Sequence, residues 1–250
     1  MKLTNKVALV TGGGTGIGLA ISTAFARAGA TVVINYSQSN AEAIKAVTAI
    51  RELGVPSTAI QADVSKDQEV RAMIDKIRQL YGRMDILVNN AGFTRFVDHA
   101  DLEALNEEDW DRIFDVNVKG AFFCCRAAAP LMKEHGFGRI INIASIAGLT
   151  GLGSSIPYAA SKAAMITLTK SLARVLAPEI SVNAIAPGLI ETRWINASQH
   201  VDAMREKFKE TTLLKRVGTP EDVAELALSV AADWNYVTGQ VLVVDGGWAI

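Results

Sequence analysis

The sequence is poor in cysteine, and this shortage argues against a fold built on disulfides or on a cysteine-ligated metal. Its 250 residues include two cysteines, Cys124 and Cys125, which are adjacent in an apolar helical stretch. Neighbouring side chains on a helix point in different directions, so we predict no mutual disulfide and no metal site. Both are expected to be small core residues in a reducing cytoplasm.

An excess of one charge and long hydrophobic runs are also lacking. The formal net charge is −1, which gives no electrostatic attraction to nucleic acid or to an anionic membrane. No hydrophobic run reaches the roughly 18 residues that a membrane span needs. The amino terminus leads into a strand-like run without the apolar core of a signal peptide. We therefore expect a cytoplasmic protein with no nucleic-acid partner and no membrane partner.

What the sequence does contain is a regular alternation of short β-branched runs and longer helical patterns. The predicted strands are 6–10, 31–35, 57–61, 84–88, 139–143, 181–185 and 240–244. The predicted helices are 16–28, 40–53, 66–81, 106–116, 118–134, 157–176 and 220–232. Strands such as those containing residues 7–10 and 140–143 are apolar on both faces, as central parallel strands covered by helices must be. The pattern predicts one α/β domain over 1–250, a doubly wound seven-stranded parallel sheet with helices on both faces.

One long stretch, 188–217, lacks sheet-building signals. Compact domains rarely keep such connections without a use, so we expect it to be irregular and to form a substrate-binding lid.

A glycine-rich turn, residues 11–18 (Thr-Gly-Gly-Gly-Thr-Gly-Ile-Gly), lies between the first predicted strand and the first helix. Its glycines let the backbone turn tightly and approach a pyrophosphate, whose charge the helix amino terminus receives. A plain strand-to-helix turn is the alternative, but the position after strand one of an alternating fold favours nucleotide binding.

The end of the second predicted strand usually selects between NAD and NADP. An acidic residue there binds the ribose hydroxyl of NAD, whereas this chain has Asn35, Tyr36 and Ser37 and no carboxylate before Glu42. Neither a lysine nor an arginine lies at this turn, and Thr15 adds only a hydroxyl. NADP(H) is therefore favoured, with NAD(H) as the alternative.

The end of the third predicted strand carries a carboxylate, Asp63, followed by Val64. Its position suits a contact with the adenine amino group. Capping of the next helix is the rival interpretation.

Tyr158 and Lys162 are four residues apart on a predicted helix, so both reach one common ligand. A phenol is a poor base at neutral pH, and an adjacent ammonium favours its ionised form. Ser145 ends the fifth predicted strand, where its hydroxyl can donate to a substrate carbonyl. Asn117 interrupts a helical run, and a buried amide there must bond a backbone group or hold a water.

These motifs, in this order, resemble the short-chain dehydrogenase/reductase family over essentially the whole chain. The matching residues are the glycine-rich turn, Asp63, the Asn89-Asn90-Ala91-Gly92 run, Asn117, Ser145, Tyr158, Lys162, Pro187-Gly188, Thr192 and Asp245-Gly246-Gly247. Within that family the chain is most similar to the 3-oxoacyl-[acyl-carrier-protein] reductase and glucose 1-dehydrogenase-like branch. The resemblance implies a Rossmann fold and an NAD(P)(H)-dependent oxidoreductase that interconverts a ketone and a secondary alcohol.

The resemblance also implies a role for each site residue. Tyr158 is the general acid and base, Lys162 binds the nicotinamide ribose and lowers the pKa of Tyr158, and Ser145 polarises the substrate oxygen. Asn117 holds a water of a proton relay. The implied cofactor-binding residues are Gly12, Gly14, Thr15, Gly16, Ile17, Gly18, Asn35, Tyr36, Ser37, Asp63, Val64, Asn90, Ala91, Gly92, Tyr158, Lys162, Pro187, Gly188, Ile190 and Thr192. No metal is implied.

Relatives in this family are usually homotetramers, so we expect one here, with the long helices and the apolar Trp248-Ala249-Ile250 terminus at interfaces. The expected substrate pocket is lined by residues 94–96, 147–153 and 190–195, including Trp194. Arg95 either meets an anionic group or is a solvated loop residue, and the three histidines are expected at the surface.

Two other functions are weighed against the reductase. A nucleotide-sugar epimerase or dehydratase also uses a Tyr-Lys pair, but it needs a sizeable carboxyl-terminal substrate domain. A non-catalytic nucleotide-binding regulator is expected to lose Ser145, Tyr158 or Lys162, and all three are present.

Overall fold

Within residues 1–193, 195 and 201–250, which the computed structural model describes, seven parallel strands form one sheet. They are Val7–Thr11 (β1), Thr31–Tyr36 (β2), Ser57–Gln61 (β3), Ile86–Asn89 (β4), Gly138–Ile143 (β5), Ile180–Pro187 (β6) and Val241–Val244 (β7). Their order is β3-β2-β1-β4-β5-β6-β7. The predicted doubly wound parallel sheet is confirmed, and each strand end lies within two residues of its predicted position.

Helices cover both faces of the sheet. They are Gly16–Arg27 (α1), Asn40–Glu52 (α2), Asp67–Tyr81 (α3), Glu107–Phe114 (α4), Ala121–Glu134 (α5), Ala147–Thr150 (α6), Ile156–Leu176 (α7), Val201–Thr211 (α8) and Pro220–Asp233 (α9). Helices α1, α2 and α9 pack on one face, through residues such as Phe25 and Val223. Helices α3, α5 and α7 pack on the other, through residues such as Met73 and Leu172. In the described part of the chain, no helix is both long and apolar enough to span a membrane.

The central strands are apolar because helices exclude water from both of their faces. Every residue of β1 and β4 is buried, and their side chains alternate between the two helical layers. The edge strand β7 is only partly covered, and Val243 is exposed. The fully buried strands β1 and β4 therefore hold the glycine-rich turn and Asn89 in place, and β5, which is buried except at Arg139, leads to Ser145.

The amino ends of β1 and β4 are joined by a buried carboxylate, Asp85. It accepts hydrogen bonds from the backbone N–H of Val7 at 2.9 Å, from Lys6 Nζ at 3.1 Å and from Arg83 at 2.5 and 2.8 Å. Burial alone would raise the pKa of Asp85, but the three donors together hold it below its ordinary value. The predicted start of this strand at residue 84 lies two residues before the observed start of β4 at Ile86.

Two of the sequence-based expectations about helices are corrected by the structure. The predicted break at Asn117 is instead a π-helical segment, Asp115–Gly120, which joins α4 to α5 without interruption. The stretch 188–217, expected to be irregular, contains α8, whose polar composition gave no sheet-building signal. The role of this stretch as a substrate lid stays a prediction.

Candidate active site

The candidate site lies at the carboxyl ends of the strands, where the strand order reverses between β1 and β4. Parallel sheets bind ligands at this switch point because the loops there diverge and leave a crevice. The crevice has a volume of about 1890 Å³ and is lined by residues that follow β1, β2, β3, β4, β5 and β6. We call it the cleft.

The glycine-rich turn forms the floor of one half of the cleft. Gly12 and Gly16 have φ values of +60° and +52°, which only glycine adopts without strain. A Cβ atom on Gly18 would lie 2.4 Å from the carbonyl oxygen of Gly12, and one on Gly14 would lie 3.0 Å from the Cα of Ala43. The turn therefore has no room for side chains at these positions, and its backbone is accessible to a ligand. This arrangement fits the pyrophosphate of a dinucleotide.

Asn90 and Thr11 hold this turn in place. Asn90 Nδ2 donates to the carbonyl oxygens of Thr11 at 2.9 Å and Gly12 at 3.2 Å, while Thr11 Oγ1 accepts from the backbone N–H groups of Asn90 and Ala91. Asn90 was predicted as a cofactor contact, and it lines the cleft. Its amide also ties the end of β4 to the glycine-rich turn, a role that the sequence pattern did not indicate.

The turn after β2 is fastened to β3. Asn35 is buried, and its Nδ2 donates to the carbonyl oxygen of Ala62 at 2.9 Å. This nitrogen therefore joins the end of β2 to the segment after β3. Gln61 Nε2 donates to the carbonyl oxygen of Ser37 at 2.9 Å. Tyr36 and Ser37 line the cleft, with the Ser37 side chain exposed.

Asp63 lies at the same end of the cleft, beside Val64. Its Oδ1 accepts from the N–H and the hydroxyl of Ser65, at 3.0 and 2.7 Å. The rival interpretation as a helix cap is wrong, because α3 begins at Asp67 and its N-cap residue is Lys66.

Ser145, Tyr158 and Lys162 meet in the centre of the cleft. Ser145 follows β5, and its hydroxyl hydrogen-bonds the phenol of Tyr158 and accepts the N–H of Ala147 at 3.1 Å. Lys162 is one turn further along α7, with its Nζ 5.6 Å from the centre of the Tyr158 ring. The same Nζ donates to the carbonyl oxygen of Ile143 at 2.8 Å. The structure thus brings together the three residues that the sequence singled out from two separate elements.

The pKa values of the pair differ from the expectation that Lys162 lowers the pKa of Tyr158. Burial raises the pKa of Tyr158 to about 12, although the Ser145 hydrogen bond acts in the opposite direction. Burial also lowers the pKa of Lys162 to about 8. The physical reason is burial, which disfavours the charged form of each group, the phenolate of Tyr158 and the ammonium of Lys162. In this state the phenol is a proton donor.

Asn117 is fully buried in the π-helical segment and is used by the protein itself. Its Oδ1 accepts from the N–H of Phe93 at 2.7 Å, and its Nδ2 donates to the Phe93 carbonyl and to Ser161 Oγ, both at 3.0 Å. The predicted bond to a backbone group is confirmed, and the water of a proton relay stays a prediction. π-helical segments often occur at functional sites, where they place a side chain that a regular helix would turn away.

Ser161 is a site residue that sequence reasoning missed. It is fully buried, and its hydroxyl donates to the carbonyl oxygen of Tyr158 at 2.7 Å. It therefore links Asn117 to the turn of α7 that carries Tyr158. A small polar residue on the buried face of a long helix was the available signal.

The segment after β6 forms part of the wall of the cleft. The N–H of Gly188 donates to the carbonyl oxygen of Val244 at 2.9 Å, and Ile190 forms an isolated bridge with Gly218. Thr192 lies next to Gly16, since a Cβ on that glycine would be 3.5 Å from the Thr192 methyl group. Pro187, Gly188, Ile190 and Thr192 all line the cleft, as expected of cofactor contacts.

The other half of the cleft is the expected substrate side. Of the residues predicted there, Thr94, Phe96, Ala147, Leu152 and Gly153 are among those that line it. Arg95 instead pairs with Asp109, the residue that completes the capping box of α4. This pairing favours a loop residue over a contact with an anionic group of the substrate. Trp194 lies outside the described residues.

Several residues on the substrate side were not foreseen. Phe208 and Trp248 stack with their ring centres 5.1 Å apart, and Trp248 Nε1 donates to Thr211 Oγ1 at 3.0 Å. This stacking corrects the expectation that Trp248 is exposed in a free monomer. His99, expected at the surface, lines the cleft, and its Nε2 is buried without a partner among the described residues. His200 lies outside the described residues.

The two cysteines have the core role that was predicted. Both are free and fully buried, and burial raises their thiol pKa values, that of Cys125 to about 12. In the part of the chain that the structure describes, no cluster of side chains could hold a metal ion.

Comparison with known proteins agrees with this geometry. A family model described as enoyl-(acyl carrier protein) reductase matches residues 12–249. A protein of Streptomyces violaceoruber, named as a ketoacyl reductase of the granaticin polyketide synthase, is 43% identical over 96% of this chain and 95% of its own. The 3-oxoacyl-[acyl-carrier-protein] reductase FabG of Staphylococcus aureus is 42% identical over 99% of both chains.

Solved structures give the same result. One from Burkholderia xenovorans, described as a short-chain dehydrogenase/reductase, has a TM-score of 0.91 and 36% identity, over 97% of both chains. The chain belongs to the short-chain dehydrogenase/reductase family of NAD(P)(H)-dependent oxidoreductases, which interconvert ketones and secondary alcohols.

Proposed function

We propose that this protein reduces the ketone of a 3-oxoacyl thioester, or of a similar moderately apolar carbonyl compound, with NADPH as hydride donor. One observation carries the proposal: the hydrogen-bonded Ser145 and Tyr158 hydroxyls lie in the same cleft as the glycine-rich turn. The names of the relatives support the choice of substrate class, since both describe reductases of 3-oxoacyl groups.

The residues of the centre divide the work of reduction. The bound nicotinamide supplies the hydride, so the protein must bind, orient and protonate. Tyr158 is the general acid, because a phenol with a pKa of about 12 is fully protonated at neutral pH and can give its proton to the substrate oxygen. Ser145 orients that oxygen by a second hydrogen bond.

Lys162 has a part that follows from its burial. Its ammonium is held by the Ile143 carbonyl and lies over the Tyr158 ring, where a positive charge favours the phenolate that remains after proton transfer. It would also bind the ribose of the nicotinamide. Asn117 and Ser161 keep the Tyr158 turn of α7 in position through their shared hydrogen bond.

The preference for NADPH is argued from the turn after β2. Residues 35–39 contain no carboxylate, and Ser37 and Thr15 offer hydroxyls beside the cleft. A 2′-phosphate would therefore meet hydrogen-bond donors at this turn and no repulsion from within it.

The proposed assembly is a homotetramer. Its support is apolar surface on the elements expected at interfaces: Phe122 on α5, Val175 on α7, Val243 on β7 and the terminal Ile250 are all exposed. Light scattering in solution should give four times the chain mass of 26.7 kDa, and a monomer would contradict the assembly.

The test of the function is a substrate panel. β-Ketoacyl thioesters, a 2-enoyl thioester, sugars, steroids and simple ketones are each supplied with NADPH and with NADH, and cofactor oxidation is followed at constant enzyme. We expect the highest kcat/KM for a β-ketoacyl thioester with NADPH. Loss of absorbance with the enoyl thioester but not with any ketone would overturn the proposal. Binding of NADPH without oxidation by any compound would favour the non-catalytic regulator.

A further inference from the structure

One end of the cleft, beside the turn after β2, is where the adenosine of a dinucleotide would lie. An arginine from a distant part of the chain lies at this end. Arg193 lies in the segment after β6, and its guanidinium donates to Ser39 Oγ at 3.2 Å. The two residues are 154 positions apart in the sequence. Arg193, Ser37, Gln38 and Ser39 line the same end of the cleft. The turn after β2, which has no lysine or arginine of its own, therefore has one beside it in the fold.

The other basic side chains of the cleft are placed elsewhere. Among the described lining residues, the remaining lysines and arginines are Lys162, Arg112 and Lys207. Lys162 is committed to the catalytic centre, and Arg112 lies over the Phe93 ring at 4.3 Å on the substrate side. Lys207 adjoins Phe208 on α8, also on the substrate side. Arg193 is the described cleft cation that contacts the turn after β2.

The present partners of Arg193 do not account for its position. Its nearest carboxylate, Glu42, is 3.9 Å away, and both side chains are about half exposed. An exposed ion pair at that distance contributes little to stability. A guanidinium with such weak partners is free to form stronger, charge-assisted hydrogen bonds with a phosphate.

We propose that Arg193 recognises the 2′-phosphate of NADP(H), together with the hydroxyls of Ser37 and Ser39, and so supplies the cofactor specificity that the β2 turn lacks. The inference rests on the proposed use of NADPH. It assigns a specificity-determining role to a residue whose neighbour Thr192 lies against the glycine-rich turn. The first turn of α2 lies beside the same site and contains Glu42. The carboxylate of Glu42 would repel the phosphate unless Arg193 neutralises its charge.

The test uses binding rather than turnover, with the whole protein and two probes that lack nicotinamide. Adenosine 2′,5′-bisphosphate and adenosine 5′-monophosphate are titrated calorimetrically into the wild type and Arg193→Ala. We expect the wild type to prefer the bisphosphate, and Arg193→Ala to lose roughly 10-fold in affinity for it. Affinity for the monophosphate should stay unchanged.

Matched variants separate a specific contact from a change in net charge. Arg27→Ala removes an exposed arginine at the far end of α1 and should leave both affinities unchanged. Arg193→Lys should recover part of the loss, and Glu42→Gln should tighten the bisphosphate a few-fold by removing the opposing charge. An equal loss in Arg27→Ala and Arg193→Ala would overturn the inference.

The remaining outcomes distinguish this inference from the function on which it rests. A wild type that prefers the bisphosphate, with an Arg193→Ala variant that keeps the preference, would overturn the role of Arg193 and leave the NADPH proposal standing. A wild type without any preference for the bisphosphate would overturn both. Because the probes undergo no reaction, failure to find a ketone substrate would not alter either result.

Discussion

Two buried charged groups, Asp85 and Lys162, lie at opposite ends of the same parallel sheet and have different surroundings. Asp85, at the amino ends, has three donor residues that hold its pKa below the ordinary value. Lys162, at the carboxyl ends, has the Ile143 carbonyl, and burial lowers its pKa to about 8. The hydrogen-bond donors around Asp85 stabilise its negative charge. Burial instead disfavours the positive charge of Lys162 in the cleft.

This difference indicates that the amino ends of the strands contribute to stability and that the carboxyl ends contain the groups for catalysis. Groups whose pKa values are displaced by burial and that also line a cleft are candidates for catalysis, and proteins tolerate the loss of stability that such groups cause. Tyr158, whose pKa burial raises to about 12, is next to Lys162 at this end. Each variant below alters one end of the sheet and should leave the other unaffected.

The largest effect is expected for Tyr158→Phe. Loss of the proton donor should lower kcat by roughly 10²- to 10⁴-fold. NADPH affinity and melting temperature should stay near those of the wild type, because the ring keeps its packing. Steady-state kinetics, fluorescence titration and thermal melting check the three quantities. Retained turnover would contradict the role of Tyr158.

At the opposite end of the sheet, Asp85→Asn should damage the fold and spare the chemistry. Removing one member of a buried ionic network should lower the free energy of unfolding by about 3 kcal/mol and the melting temperature by about 5–10 °C. Below the melting range, kcat per folded molecule should equal that of the wild type. A fall in kcat at unchanged stability would remove the distinction between the two ends.

A smaller effect is expected for Ser161→Ala, which removes the link from Asn117 to the Tyr158 carbonyl. Ser161 is a positioning residue, so kcat should fall several-fold while the KM for NADPH stays constant. The loss of these hydrogen bonds should lower stability by about 1–2 kcal/mol. Ser161→Thr, which keeps the hydroxyl, should restore part of kcat. If the affinity for NADPH fell as much as kcat, the substitution would have distorted the cleft in general rather than the position of Tyr158.

The smallest effect is expected for Asp233→Asn. Asp233 pairs with Lys2 at 2.5 Å, but both side chains are about half exposed. Exposed pairs contribute about 0–1 kcal/mol, so chemical denaturation should detect little change. A loss as large as that of Asp85→Asn would show that burial is not what distinguishes Asp85.

Local patterns in the sequence were sufficient to predict the sheet and to indicate that Ser145, Tyr158 and Lys162 lie together, whereas the roles of these residues stay predictions. The strands are short apolar runs, and the glycine-rich turn, Ser145, Tyr158 and Lys162 each stand at a position that the strand order fixes. Helix α8 was not predicted, although Val201, Met204 and Phe208 have the i, i+3, i+7 spacing of an amphipathic helix, because the rest of its sequence is mostly polar and resembles a loop.

The features that the sequence did not disclose depend on contacts between distant residues. The bond from Arg193 to Ser39 and that from Asn117 to Ser161 need the folded chain. The direction of the Tyr158 pKa shift was also missed, because it depends on burial rather than on the nearness of Lys162 alone. Sequence spacing shows which residues can meet, but not how dry their surroundings are.

The burial of Lys162 makes the stability of the protein depend on pH. The pKa of Lys162 is lower in the folded protein, about 8, than its ordinary value of 10.5, so between these values the unfolded chain binds more protons. Stability from this site therefore rises as pH increases from 8 toward 10.5. Asp85, whose folded pKa is lowered, gives stability above the ordinary carboxylate pKa that is lost as pH falls below it.

The most direct measurement is therefore the free energy of unfolding of Lys162→Met relative to the wild type, by chemical denaturation at pH 7 and at pH 9.5. Met keeps the packing and removes the charge. We expect the variant to be the more stable protein at pH 7, by up to about 3 kcal/mol, and the gain in stability to be smaller at pH 9.5. A variant less stable than the wild type at pH 7 would show that Lys162, like Asp85, is a support of the fold, and would contradict the account.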